Sequence, residues 1–324
     1  MLITVVIPTY NRRDLLAQCL ESLFRQTCLP ENLEIVIVID GATDRTREYL
    51  DGLPFPCKNQ VLDQENRGQA AARNAGIRAA RGKYILLLDD DFLCDEHLVE
   101  EHIKAQGGSA CVVVGPILHD GGNDTIPALA IDREIRPFYE SLAAGLSPGA
   151  WFPPNSSATR ELLLACGGYD EQFSRAREDT DLGLRLAQRG VRFHFAPAAI
   201  VHQRYDKSAS RLVASATLFG RNDVLLARKF PQYASLSNLS RVCTGSAWKR
   251  AARRIIVALP FSTDILLYPV YALSALFMRK LAIRMLNLRR YIVWIRSAAR
   301  EAGGWRSLVD LSRTAEESSA KQAD

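Results

Sequence analysis

Three consecutive carboxylates, Asp89, Asp90 and Asp91, close the apolar run Tyr84-Ile85-Leu86-Leu87-Leu88. Like charges this close repel one another unless a positive group sits among them. Two carboxylates pointing the same way from the end of a buried strand make a hard-oxygen site suited to Mg2+ or Mn2+, and such an ion can in turn hold a diphosphate. An acidic turn after a strand is the other reading of the triplet taken alone, and its neighbours decide between them. Asp40 ends a second apolar run, Ile35 to Ile39, and the pair Glu178-Asp179 opens a helical pattern further on.

The elements that must position these groups can be read from periodicity. Leu2 to Ile7 is a first strand, lacking the basic region and apolar length of a signal peptide. Asn11 is placed to cap a helix whose apolar positions Leu15, Leu16, Cys19, Leu20, Leu23 and Phe24 share one face. The strand Ile35 to Ile39 follows, then a short helix capped by Thr43 or Asp44, a strand at Val61-Leu62, an alanine-rich helix from about Gln69 to Ala80, and the strand that ends at the triplet. Continuous apolar strands alternating with amphipathic helices predict an α/β protein with a mostly parallel central sheet covered on both faces. Ligands of such sheets sit at the carboxyl ends of the strands, where Asp40 and Asp89 to Asp91 both fall.

Beyond Gly115 the pattern changes to proline and glycine punctuation up to Pro154, then Asn155-Ser156-Ser157 and a helix from near Arg160. A helix from Glu178-Asp179 ends at Gly190, and Val191 to Phe195 and Ala199 to Val201 are short strands, the second ending at His202. The chain of 324 residues is 48% hydrophobic, enough for a full core, and its net charge of +5 is mild, giving no ground for a nucleic-acid partner. Seven scattered cysteines, none in a CxxC pair, favour reduced thiols. Charge is concentrated late: between Arg241 and Arg300 stand 12 basic residues and a single acid, Asp264. Within that region Ile255 to Met278 is mostly apolar but broken by Pro260, Asp264 and Pro269. Its length matches the roughly 20 residues of a membrane span, yet the prolines and the carboxylate favour interfacial helices on anionic lipid. An ordinary helical extension packed on the core or a partner subunit is the alternative.

Taken in order, Val6-Ile7-Pro8-Thr9-Tyr10-Asn11-Arg12, Ile39-Asp40-Gly41-Ala42-Thr43-Asp44, Asn66-Arg67-Gly68 with Ala72-Arg73-Asn74-Ala75-Gly76, Leu88-Asp89-Asp90-Asp91, Gly167-Gly168-Tyr169-Asp170, and Glu178-Asp179-Thr180-Asp181-Leu182 with Arg185-Leu186 and Gly190 form one constellation. It resembles glycosyltransferase family 2, the inverting, metal-dependent sugar transferases of the GT-A fold, over about residues 2 to 230. The resemblance implies a GT-A domain over 1–230, with a nucleotide-binding half (1–115) and an acceptor-binding half (116–230). A basic, partly apolar helical extension over 231–312 and a flexible tail over 313–324 complete the expected organisation.

By the same resemblance a divalent Mn2+ or Mg2+ is held near the DxD-like triplet. Asp91 is a direct ligand, Asp89 faces metal or ribose, and Asp90 takes the variable middle place; the triplet allows two registers for the binding pair. Pro8, Thr9 and Tyr10 lie on the first loop beside the nucleotide, Asp40 accepts from the base, and Gly68 and Arg73 lie near the diphosphate. Asn155 lies beside donor sugar and acceptor, Glu178 orients the acceptor, Asp179 is the general base, and His202 completes the metal shell. Two positions depart from the family pattern, Ile39 where a second acid is frequent and Ala42 where serine is usual. His194 is assigned to structure.

The expected partners are a nucleotide-diphosphate sugar, a UDP-sugar first among UDP, GDP and dTDP donors, a glycan or lipid-linked acceptor, and an anionic membrane. The expected location is the cytoplasmic face of the cell membrane. A nucleotide-sugar pyrophosphorylase would need a glycine-rich basic loop where Pro8 to Asn11 stand, and neither GxGxxG nor a P-loop follows the first strand. A catalytically silent sugar-nucleotide or lipid-binding protein and a retaining transferase on the same fold are the competing readings.

Overall fold

A computed structural model describes residues 2–28, 30–107, 110–120, 125–144, 151–173, 175–205, 207–259 and 267–313. Pro260, Asp264 and the tail from 314 onward, all of which figured in the sequence reading, lie outside the described residues. Contacts divide the chain into two units, Met1–Asn123 with Asp132–Tyr205, and Asp124–Ile131 with Asp206–Asp324.

Among the described residues the first unit has ten strands: β1 (Ile3–Thr9), β2 (Leu33–Asp40), β3 (Lys58–Gln64), β4 (Tyr84–Leu87), β5 (Phe92–Cys94), β6 (Cys111–Val114), β7 (Ile117–His119), β8 (Ser156–Thr159), β9 (Arg192–Phe195) and β10 (Val201–Gln203). Seven form one sheet in the order β3-β2-β1-β4-β8-β6-β9. β3, β2, β1 and β4 run parallel, β8 is antiparallel to both its neighbours, and β9 runs parallel to β6. A second sheet has the order β5-β10-β7. The expected mostly parallel sheet is present.

Helix α1 (Arg13–Leu23) covers one face, where Ile3, Val5 and Ile7 pack with Leu16, Leu20 and Leu23. Alternate residues Val6, Val36 and Val38 meet Ala70, Ala72 and Ile77 on the other face, which follows from the two-residue period of a strand. These alanines and Ile77 belong to a helix over Gln69–Ala79. That helix approaches the sheet so closely that a Cβ on its Gly76 would lie 2.3 Å from a methyl of Val6.

Capping differs from expectation. Asn11, at φ 52°, makes no cap on α1; its side-chain oxygen accepts from the amide of Thr43, and Asp44 accepts from the amide of Arg13 instead. Asp44 also accepts from the amide of Thr46 at the start of α2 (Thr46–Asp51), so one carboxylate serves two helices. The helix over Gln69–Ala79 is α3, followed by α4 (Leu98–Gln106), α5 (Ile126–Ala143), α6 (Arg160–Ala165) and α7 (Glu178–Gln188). Gly190, at φ 75°, follows α7 as the sequence predicts.

Strand β8 was not legible as a strand. Its sequence is Ser-Ser-Ala-Thr, yet it lies inside the sheet with Ser156 and Ser157 fully buried. An interior network accounts for it. Ser157 Oγ lies 2.9 Å from His102 Nδ1 and accepts from Gln106 Nε2 at 2.9 Å, while His102 Nε2 lies 2.9 Å from Asn155 Oδ1. Because an amide oxygen only accepts, the proton sits on Nε2 and the serine hydroxyl donates to Nδ1.

The second unit is helical: α8 (Ala209–Lys229), α9 (Tyr233–Leu236), α10 (Ser240–Cys243), α11 (Ala247–Ala258), α12 (Tyr268–Phe277) and α13 (Arg279–Ala302). α8 and α13 pack so tightly that a Cβ on Gly220 would lie 2.2 Å from the carbonyl oxygen of Trp294. Buried Asp223 accepts from Tyr233 Oη and Trp294 Nε1, both at 2.7 Å. Among the described residues no helix is long and apolar enough to cross a membrane.

Burial holds His102 neutral, with its pKa depressed from 6.5 to about 4. Between these values the unfolded chain binds a proton that the native state refuses, so this contribution to stability is lost as pH falls, reaching about 3 kcal/mol near pH 4. Denaturant titrations of wild type and His102→Gln at pH 7 and pH 5 isolate the term as a difference. The wild type should lose more stability on acidification, and a His102 ring that titrates near 6.5 by NMR would contradict the assignment.

Candidate active site

The carboxyl ends of β1, β2 and β4 gather the chemistry. Asp40, the last residue of β2, is nearly buried and accepts three hydrogen bonds: from Gln64 Nε2 (2.7 Å), the Arg67 amide (2.9 Å) and the Gly68 amide (2.8 Å). It therefore ties the loop after β3 to the end of β2. Gly41 permits this closeness, since at φ 75° a Cβ there would lie 2.7 Å from the Asn66 nitrogen. Gly68, at φ 90°, leads directly into α3.

From α3 comes Arg73, whose side chain is 1% exposed. Its Nη2 donates to Asp89 Oδ1 at 2.8 Å and its Nη1 to Glu178 Oε1 at 2.9 Å. The guanidinium lies 5.3 Å from the centre of the Tyr169 ring. Burial works against its charge, yet Asp89, Tyr169 and Glu178 together hold its pKa above the ordinary arginine value. Tyr169 is itself fixed by Asn74, which accepts from its amide at 2.7 Å and donates to its carbonyl at 2.9 Å. The left-handed Gly168 lets Asn74 approach, and Arg185, paired with buried Asp181, donates to the carbonyls of Cys166 and Gly168. The Gly-Gly-Tyr and Asp181/Arg185 motifs are thus the frame that holds Tyr169 against Arg73.

The triplet divides its partners. Asp89 faces Arg73 and also accepts from Gln69 Nε2 at 3.0 Å. Asp90 and Asp91 share the fork of Arg12, with Nη1 to Asp90 Oδ1 at 2.8 Å and Nη2 to Asp91 Oδ2 at 2.9 Å. Thr9 Oγ1 donates to Asp90 Oδ2 at 2.9 Å. Burial pushes Asp90 up to about 7, with Arg12 opposing and Asp91 reinforcing the rise. Asp91 is raised for the same first reason.

Glu178 and Asp179 open α7 after Arg177, a non-glycine residue at φ 70°. Burial and the adjacent Asp179 push Glu178 up to about 7 against the pull of Arg73. Its second oxygen is buried and has no hydrogen-bond partner among the described residues. Asp179 is half-buried; its Oδ2 accepts from the Trp151 indole at 2.7 Å and its Oδ1 from the Thr180 amide at 2.7 Å.

The structure thus brings together Thr9, Asp90 and Asp91, and separately Asp40 with Gly68, and Arg73 with Asp89 and Glu178. Pro8 is buried within β1 opposite Val38, and Tyr10 beyond it is exposed. Asn155 is fully buried at φ 62°: its backbone amide donates to the Leu87 carbonyl at 2.7 Å, at the end of β4, while its side-chain nitrogen donates to the carbonyls of Pro116 (3.0 Å) and Ala199 (2.9 Å) and its side-chain oxygen turns to His102. His202 lies within β10 rather than at its end, and its neighbour Gln203 is the residue that reaches Asp91, at 3.3 Å. Successive strand side chains alternate, so His202 and Gln203 leave β10 on opposite faces. Sequence reasoning gave no role to Arg12, Gln203 or Trp151. For Gln203 the alternation rule could have found it; nothing in the sequence marks Trp151.

Among the described residues no three His, Cys, Asp or Glu side chains converge as a cation-binding group. Asp90 and Asp91 fit a divalent ion in another way: Mg2+ characteristically takes one or two carboxylates and fills its remaining positions with phosphate oxygens and water. The single guanidinium shared by both carboxylates marks a place that already demands positive charge.

Residues 4–160 match the model of the family described as glycosyl transferase family 2. That segment contains Asp40, Arg73 and the triplet and ends before Glu178. Validoxylamine A glucosyltransferase of Streptomyces hygroscopicus subsp. limoneus is 33% identical over 220 residues, 59% of this chain and 49% of the relative. Glycosyltransferase GlyG of Streptococcus pneumoniae is 40% identical over 117 residues, 35% of this chain and 38% of the relative. The chain thus spans about half or less of these relatives' length. Mannosyltransferase PcManGT of Pyrobaculum calidifontis, solved with GDP-Man and Mn2+, has a TM-score of 0.63 at 20% identity, covering 92% of this chain and 86% of that one. Staphylococcus aureus TarS 1–349, solved with UDP, has a TM-score of 0.53 at 18% identity, covering 100% and 92%. The fold is GT-A-like.

Removing Arg12 leaves two buried carboxylates without their shared cation. Arg12→Gln should lose roughly 3 kcal/mol of stability in denaturant titration, and Arg12→Gln/Asp90→Asn should recover part of it. A single variant as stable as wild type would show that the fork carries no charge balance.

Proposed function

We propose that this chain is an inverting family 2 glycosyltransferase that moves a sugar from a nucleotide-diphosphate donor to an acceptor hydroxyl. The observation that carries the reading is the double bridge of Arg73, which links the acid at the end of β4 to the acid pair that opens α7. A leaving diphosphate needs positive charge, and an attacking hydroxyl needs a base; the bridge couples the two requirements in one cluster. The functional partition at residues 115 and 230 belongs to this reading.

The acceptor oxygen forms a bond to the anomeric carbon as the bond to the diphosphate oxygen breaks, the diphosphate leaving with the electron pair. Asp179 takes the acceptor's proton, and a single displacement of this kind inverts the anomeric centre. Trp151 and Thr180, by donating to opposite oxygens, fix the carboxylate's direction. The second oxygen of Glu178, without a partner among the described residues, is a ready acceptor for a second sugar hydroxyl. Arg73 holds Glu178 and Asp89 in register while Asp40 keeps the loop before α3 closed over the end of β2. When bound, a divalent cation supplies electrostatic stabilisation of the departing diphosphate, with Asp91 and either Asp89 or Asp90 as its protein ligands.

Neighbours solved with UDP and with GDP-Man support a nucleotide-diphosphate donor, and a UDP-sugar is the first candidate. The acceptor is a growing glycan or a lipid-linked sugar, and the working location is the inner face of the cell membrane. The poly(ribitol-phosphate) β-glucosyltransferase relative, 34% identical over 121 residues, supports a surface-glycan role.

A screen of nucleotide sugars with Mn2+, Mg2+ or EDTA should reveal metal-dependent binding of one nucleotide class, lost in Asp91→Ala. Asp179→Asn should lower transfer by about 10²- to 10⁴-fold while donor affinity stays near wild type. Unchanged turnover in that variant would remove the base assignment, and retained anomeric configuration in the product would exclude the single displacement.

A further inference from the structure

Helix α12 turns large apolar side chains outward. Val270, Leu273, Leu276 and Phe277 are 47%, 64%, 72% and 79% exposed, and helical spacing sets all four on one arc, with buried Ser274 beyond its edge. Met278, just past the helix, is also exposed. On α11 the same pattern recurs at i, i+3, i+7 and i+10 with Trp248, Ala251, Ile255 and Ala258, all exposed. A water-facing surface rarely concentrates such residues unless something else covers it.

The charges around these faces say what. Lys249, Arg250 and Arg254 flank the α11 stripe, and Arg279, Lys280 and Arg284 follow α12, all exposed. Between residues 241 and 300 a single acid accompanies 12 cations. A second copy of this chain would bring the same cationic field against itself. An anionic bilayer meets both features at once, with acyl chains for the Leu, Phe and Trp side chains and lipid phosphates for the cations. With 10 residues, α12 extends about 15 Å, half of a hydrocarbon core, so it lies in the plane of the interface.

We infer that α12, flanked by α11 and the start of α13, is an in-plane anchor that inserts Leu273, Leu276 and Phe277 into a leaflet of anionic phospholipid. The inference deepens the acceptor side of the proposed function, and it fails separately, because vesicle binding is read with neither donor nor acceptor present.

The test is flotation of the full chain with phosphatidylglycerol-containing vesicles and with pure phosphatidylcholine vesicles, for wild type and Leu273→Glu/Phe277→Glu. Both positions are mostly exposed, so the variant should keep the wild-type melting curve, which is recorded alongside. The wild type should bind anionic vesicles about ten-fold or more tightly than neutral ones, and the variant should lose at least that factor. Wild type that stays with the soluble fraction, or a folded variant that floats equally well, would overturn the inference. So would light scattering that finds a wild-type dimer abolished by the double substitution, since the face would then belong to a second copy.

Discussion

A guanidinium buried as deeply as that of Arg73 cannot be tolerated alone, and the first unit is arranged around satisfying it. Desolvating a charge costs several kcal/mol unless opposite charges and hydrogen bonds replace water. Asp89 supplies one from the end of β4, and Glu178 supplies the other from the start of α7. The bridge therefore binds two stretches of chain that no backbone hydrogen-bond ladder joins. Tyr169 closes the remaining side, and its position depends in turn on Asn74, on Gly168 and on the Asp181/Arg185 pair. Removal of either carboxylate would leave the arginine with half its compensation.

The same requirement explains how three adjacent aspartates coexist. They do not form one pool of negative charge. Asp89 turns to Arg73, while Asp90 and Asp91 turn to Arg12, so each cation neutralises a separate part of the triplet. Burial still leaves Asp90 near neutrality in its titration. A site that holds more negative charge than its own cations comfortably offset is suited to take up a further positive charge, and this is the physical link between the fold and the proposed chemistry of a diphosphate leaving group.

Much of this was legible in the residues, for identifiable reasons. The apolar runs Ile35 to Ile39 and Tyr84 to Leu88 are buried on both faces, so composition alone marks them as parallel strands, and the acids that end them fall at the ligand-bearing edge. The polar strand β8 gave no such signal, because its place depends on a buried histidine and glutamine from α4 that local sequence cannot announce. Asn155 belongs to the same network: its side-chain amide is occupied by His102 and by the Pro116 and Ala199 carbonyls, partners that motif order does not show. Helix α5 was hidden by its internal Pro137, which reads as punctuation. The cap of α1 came from Asp44, distant in sequence, and nearest-neighbour reasoning could offer only Asn11. Arg12 stood within a quoted motif, but its role needed the fold to bring it to the triplet.

A crystal structure of the protein soaked with a nucleoside diphosphate and Mn2+ tests the central claim most directly. The account predicts diphosphate density against Asp89 to Asp91, with the Arg73 bridge to Asp89 and Glu178 intact and Asp179 open to solvent beside it. Density for the nucleotide away from the triplet, or an Arg73 released from Glu178, would contradict it.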